Sequence, residues 1–224
     1  VQESFYSITS IGVGLISIHV VYALILTKGV TILSGLGLLS SHTLFAMKTN
    51  VKKYSFNLAY APHLGMFSHH AGDDPIDQLN FMADQGFTAF EDNGMRNREV
   101  ALQEKMADTM VKRGLRMGVF VAHEIYWQKA QLASGEKGLR EEFLNYIKKS
   151  IPVAKRVNAK WMTVVPGHID LRQNMSYQTA NVVESLKQAS ALLEPHGIVM
   201  VLEPLNFRDH PGLFLTESPQ AYEI

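Results

Sequence analysis

From residue 53 onward the chain alternates between short apolar runs of strand length and longer stretches whose apolar residues recur every three or four positions. That alternation is the signature of a parallel sheet with crossover helices. The first strand is predicted at 54–60 (YSFNLAY). Asp74 and Pro75 then cap and open a helix, whose apolar face is Ile76, Leu79 and 81–83 and whose stop is Gly86. The second strand is predicted at 87–91 (FTAFE), and a helix at 99–112 places Val100, Met106 and Met110 inward, with Gly114 as its stop. The third strand is 115–122 (LRMGVFVA). A long helix follows at 138–157, in which Pro152 is expected to break or kink the helix unless a turn has already ended there. The fourth strand is 161–165 (WMTVV), the fourth helix 177–193 with a stop at His196-Gly197, and the fifth strand 198–203; a further helix begins near Glu217.

Four strand–helix units and the start of a fifth point to a (β/α)8 TIM barrel truncated after about the fifth strand. A closed eightfold barrel takes ~250 residues, and a sheet left open would keep an apolar edge. The alternative is an open doubly wound sheet of five strands. Against it, the loop after the first strand lacks the spaced glycines that cradle a dinucleotide.

The pattern before residue 53 is different. Runs 11–26 and 30–47 are apolar, Gly/Ser-rich and nearly free of charge, with Lys28 the charged residue between them. Each approaches the ~20 residues needed to span a bilayer. Residues 1–47 are therefore expected to form a signal- or anchor-like segment, separate from a barrel domain at 53–224. Three origins fit it: an export signal cut near Met47 or Lys48, a membrane hairpin, or sequence that is not native coding. The expected location is exported, periplasmic or membrane-tethered, and otherwise cytoplasmic, with membrane contact only through residues 1–47.

Composition narrows the chemistry. The 21 basic and 21 acidic side chains leave no net charge, so nothing draws the chain toward nucleic acid. There is no cysteine, which excludes a disulfide framework, a thiolate metal site and a cysteine nucleophile.

In a parallel barrel the strand C-termini gather on one face, where the chemistry is done. Collected there are His63, Glu91 with Asp92 and Asn93, His123 with Glu124, His168 with Asp170, and Glu203 with Asn206, Arg208 and His210. Glu203, in Leu202-Glu203-Pro204-Leu205-Asn206, stands where a buried strand meets its loop. A carboxylate so placed can take a proton or hold a metal ion. Its structural reading is a backbone cap or a pair with Arg208. Any one of these residues alone is structural more often than not, as is a loop histidine beside a proline such as His210. Five successive strands each delivering a titratable group suggest a pocket for a small polyhydroxy or keto-acid substrate.

Phe56-Asn57-Leu58, the run 83–91 (ADQGFTAFE) and the run 201–206 (VLEPLN), followed by Arg208 and Pro211-Gly212, resemble the sugar isomerase/epimerase barrels of the xylose-isomerase-like superfamily. The segment through Phe214-Leu215 to Ser218-Pro219-Gln220 is most similar to the hydroxypyruvate isomerases. The resemblance covers residues 53–224, about two-thirds of such a barrel. It implies that Glu203 is the acid/base and, in metal-dependent members, a metal ligand. It also implies that the partner glutamate and the other ligands come from strands six to eight, which this chain does not supply. The superfamily also holds DNA-repair endonucleases with a zinc cluster; those place a histidine before the proline where this chain has Val165, although His123 matches another of their histidines.

The expected activity is therefore isomerisation of a small hydroxy-keto acid or sugar by enediol proton transfer, hydroxypyruvate to tartronate semialdehyde. Glu203 is the catalytic residue, and Glu91, His123, His168, Asn206 and Arg208 bind substrate. A metal-dependent keto-sugar 3-epimerase or inosose dehydratase is the alternative enzyme, with magnesium or manganese held partly by Glu203. An exported carbohydrate-binding barrel without catalysis, using Trp127, Trp161 and the rim histidines, is the non-enzymatic alternative.

Overall fold

The computed structural model describes residues 54–224. The apolar runs before residue 48, and the signal or anchor expected there, lie outside the described residues. Among the described residues no helix is long and apolar enough to cross a membrane.

The elements run α1 (Ser68–Ala71), α2 (Pro75–Gln85), β1 (Ala89–Phe90), α3 (Val100–Arg113), β2 (Arg116–Met117), α4 (Lys137–Val157), β3 (Trp161–Val164), α5 (Met175–Leu193), β4 (Val199–Leu202) and α6 (Ser218–Glu223). Helix boundaries follow the capping residues. The Asp74 side chain accepts from the amides of Ile76 and Asp77 at the start of α2, and Gly86 ends it in the left-handed region at φ 96°. At Gly86 only glycine fits, because a Cβ there would lie 1.8 Å from the Tyr54 carbonyl oxygen.

β1 pairs with β2 and β3 with β4, both in parallel. The two pairs are stitched together by a parallel bridge between Val121 and Thr163, and by Thr163 N–H donating to Phe120 O (2.8 Å). On the other side, residues 61–64 join β1 through the bridge between His63 and Glu91 and through Leu64 N–H donating to Glu91 O. The spatial order of the five segments is thus their chain order. A doubly wound sheet reverses its strand order at a switch point; this arc does not. Its progression is that of a barrel wall, and the described residues form an arc of one, not a closed barrel. The core lies between this wall and the helices, with Leu79, Met82, Phe90, Met106, Phe143, Ile147, Met162 and Val182 fully buried.

Three expectations need correction. Val100, expected to face inward, is 50% exposed at the first turn of α3, where the inward face is carried by Gln103, Met106 and Met110. The segment 54–60 is not a strand, and pairing begins only at residues 61–63. Its alternating Tyr54, Phe56, Leu58 and Tyr60 belong to a segment that bends at residues 57–58, with Tyr60 N–H donating back to Leu58 O (3.0 Å); Phe56 stacks on Phe87 at 4.8 Å and meets the edge of Tyr60 at 5.8 Å. In addition, α4 continues straight through Pro152. The ring and Lys148, whose carbonyl loses its amide partner, are both exposed, so water takes over the freed acceptor.

Candidate active site

The backbone places Glu203 at the rim. Its N–H donates to Val164 O (3.2 Å), extending the β3–β4 ladder by one residue and setting Glu203 beside Val165 at the C-terminal end of the arc. Its side chain is half-buried, as expected for a group at the lip of a wall.

Loops after three successive strands are woven together above that lip. Ala130 bridges His168, and His168 bridges Leu213. Ile169 N–H donates to Gly212 O (2.9 Å) and Phe214 N–H to Gly167 O (2.8 Å). The His168 ring donates through Nδ1 to the Ile169 carbonyl (2.8 Å), while its Nε2 fills the space beside Gly212, where a Cβ would approach to 2.0 Å. Gly212, at φ 83°, is thus required both by conformation and by the imidazole against it. Trp127 stacks on His210, with ring centroids 5.4 Å apart, and so joins the loop after the third strand to the loop after the fifth.

His123 is 1% exposed and packs edge-on against Phe143. Its Nδ1 lies 2.8 Å from the Glu124 carbonyl oxygen, an acceptor only, so Nδ1 carries the proton and Nε2 presents a lone pair. Burial lowers its pKa from 6.5 to about 4; the Glu124 carbonyl works the other way, the charge of Arg96 lowers it further, and the Val165 carbonyl beside the ring opposes weakly. The imidazole is therefore neutral at pH 7. Gln131, also 1% exposed, donates its Nε2 to the same Glu124 oxygen (3.0 Å). Neither His123 Nε2 nor Gln131 Oε1 has a hydrogen-bond partner.

The other rim residues divide by what they touch. Glu91 is 1% exposed, at the junction of residues 61–64 with β1, and His63 Nε2 accepts from the Asn93 amide (3.4 Å). Asp92 is salt-bridged to Arg98, and the exposed Glu124 side chain lies 3.4 Å from Arg96. Asp170 is held down to about pKa 2 by the Arg172 guanidinium first, then by the Arg172 amide and the Gln173 side chain, which marks it as a loop organiser. Asn206 is engaged in a turn, its Oδ1 accepting from Asp209 N–H (3.0 Å) and its Nδ2 donating to the Asp209 carboxylate (3.2 Å). Arg208 is exposed beside it.

The structure thus groups His123 with Val165 and Glu203, and His168 with Gly212, while Asn206 serves its own loop. Gln131 was not singled out from the sequence. A glutamine in a polar loop carries no local signal; its role emerges only from the carbonyl it shares with His123. Among the described residues no three His, Cys, Asp or Glu side chains are placed to hold a metal ion. Among the described residues, the magnesium or manganese site expected at Glu203 has no such set of ligands around that carboxylate.

Residues 79–220 match the family described as "Xylose isomerase-like TIM barrel". Over 98 residues the chain is 29% identical to hydroxypyruvate isomerase of Escherichia coli (strain K12), covering 41% of this chain and 38% of that enzyme. Among solved structures, an AP endonuclease, family 2, from Brucella melitensis superposes with a TM-score of 0.58 at 20% identity, covering 73% of this chain and 61% of that one. The IOLI protein with a binding zinc atom superposes with a TM-score of 0.53 at 16% identity, covering 65% and 50%. The chain spans less than two-thirds of each of these relatives, and the structural likenesses speak to fold alone.

Proposed function

Because the chain belongs to the xylose isomerase-like TIM-barrel family, we propose that it carries one half of the active site of an isomerase that moves a proton between adjacent carbons of a small hydroxy-keto acid. The substrate that fits best is hydroxypyruvate, interconverted with tartronate semialdehyde through an enediol. The observation that carries this reading is the position of Glu203: a half-buried acidic residue whose backbone N–H is held by the Val164 carbonyl at the end of its strand, across the ladder from Val165, whose carbonyl lies beside the neutral buried His123.

The chemistry needs a base at the carbon that loses its proton and donors at the oxygen that gains charge. Glu203 takes the proton. Arg208, exposed on the loop that follows it, is the cation available for the substrate carboxylate. The 29% identity to a hydroxypyruvate isomerase supports this substrate class.

The test is Glu203→Gln in the full-length protein, with hydroxypyruvate turnover and solvent deuterium incorporation as readouts. Loss of a general base lowers turnover by ~10²–10⁴-fold, with exchange lost in parallel. Unchanged turnover would remove Glu203 from the mechanism.

A further inference from the structure

Two buried acceptors stand at the rim with nothing to accept from. His123 Nε2 and Gln131 Oε1 are both without a hydrogen-bond partner, in side chains each 1% exposed. Orphaned buried acceptors cost free energy, on the order of 1–3 kcal/mol each, so two of them on side chains that share one carbonyl call for an explanation.

Their orientation is fixed by one atom. The Glu124 carbonyl oxygen accepts from His123 Nδ1 (2.8 Å) and from Gln131 Nε2 (3.0 Å), which uses the one N–H of the imidazole and one of the two N–H of the amide and leaves His123 Nε2 and Gln131 Oε1 with their lone pairs. Both orphans lie along the turn that follows β3. The Val165 carbonyl is beside the His123 ring, and a Cβ on Gly167 would stand 3.6 Å from Gln131 Oε1. Gly167 keeps that approach open, with φ 87° and no side chain. Across the ladder from Val165 is Glu203.

We infer that His123 Nε2 and Gln131 Oε1, with the Val165 carbonyl beside them, form a hydroxyl-binding subsite one strand away from Glu203. The three atoms named are all acceptors, so together they take a group that donates. A substrate hydroxyl fits; a carboxylate or phosphate, itself all acceptor, is repelled. This gives the substrate a direction: its hydroxymethyl end toward the turn after β3 and its carboxylate toward the loop bearing Arg208. Both acceptor atoms are enclosed by protein. The subsite rests on the proposed function for the identity of its ligand, not for its existence.

The experiment compares ligands that differ by one hydroxyl. Binding of hydroxypyruvate and of pyruvate is measured by titration calorimetry on the protein, His123→Phe and Gln131→Met, and the neutral pair D-fructose and 1-deoxy-D-fructose is measured in parallel. The protein is expected to prefer the hydroxylated member of at least one pair about tenfold or more, the scale of one net hydrogen bond. Each substitution collapses that ratio toward one while leaving the affinity for the deoxy member in place. Gln131→Met preserves side-chain length in a loop, so it carries the test if His123→Phe does not fold. A ratio retained in the folded variants, or no hydroxyl preference in the protein itself, assigns the acceptors to a structural water and overturns the subsite. A response from the fructose pair alone keeps the subsite and removes the hydroxypyruvate reading. Hydroxypyruvate binding with an unchanged ratio does the reverse.

Discussion

A buried histidine kept neutral leaves a signature in the stability of the whole chain. Unfolded, the His123 imidazole titrates near 6.5; folded, it is lowered to about 4, by burial first and by the nearby Arg96 charge in a lesser part. Between those values the unfolded chain binds more protons than the folded one, so stability rises with pH across the window. The contribution is complete above about pH 6.5, declines as pH falls, and is fully lost below about pH 4. The gap corresponds to roughly 3 kcal/mol for a group this enclosed. Urea denaturation from pH 7 to pH 4 should therefore show a loss of stability that His123→Phe largely abolishes. Equal pH dependence in the two proteins would mean that other groups carry it. The same neutrality suits His123 for accepting a hydrogen bond.

At the scale of elements, α4 holds a proline that the helix tolerates without using. Pro152 removes one amide from the ladder in the middle of Lys137–Val157, and both it and Lys148 face solvent. Interior proline costs about 3 kcal/mol relative to alanine, less here because water reaches the orphaned carbonyl. Pro152→Ala is expected to stabilise the protein by about 1–3 kcal/mol, read as a higher thermal midpoint; a lowered midpoint would show that the ring packs usefully. The helices were the legible part of this fold. Asp74, Gly86 and Gly114 mark their ends through local backbone chemistry that needs no tertiary knowledge. The first strand was misplaced because period-two alternation reports a one-sided apolar segment, and Phe56 found its partner in Phe87 instead of in a ladder. At the rim, Glu203 was legible because an acidic residue closing an apolar run is a local pattern. The arrangement of His123 and Gln131 was not, since it depends on a carbonyl that both reach from different points of one loop. The turn contacts of Asn206 were not legible either, since its partner, Asp209, looks like any other polar neighbour in sequence.

For the whole molecule, the order of the segments decides what the arc can become. The five parallel segments stand in chain order, and among the described residues β4 pairs with β3 alone. On one face of β4, Val199 and Val201 are 56% and 37% exposed, while Met200 and Leu202 between them pack toward the core. An apolar strand with a free edge and an exposed face is a template for pairing with another strand. In a family whose fold is a closed barrel, that same edge and face are where a neighbouring strand belongs. The 224-residue chain is accordingly expected to self-associate through β4. Val201→Lys places a charge on the exposed face without entering the core, so it should lower the associated fraction seen by light scattering while the helical content stays unchanged. Replacing Val111, which is 83% exposed on α3, should have no such effect. If both substitutions act alike, association is driven by general surface hydrophobicity and not by the open strand. If neither acts and the chain is monomeric, the exposed face of β4 is already covered in solution.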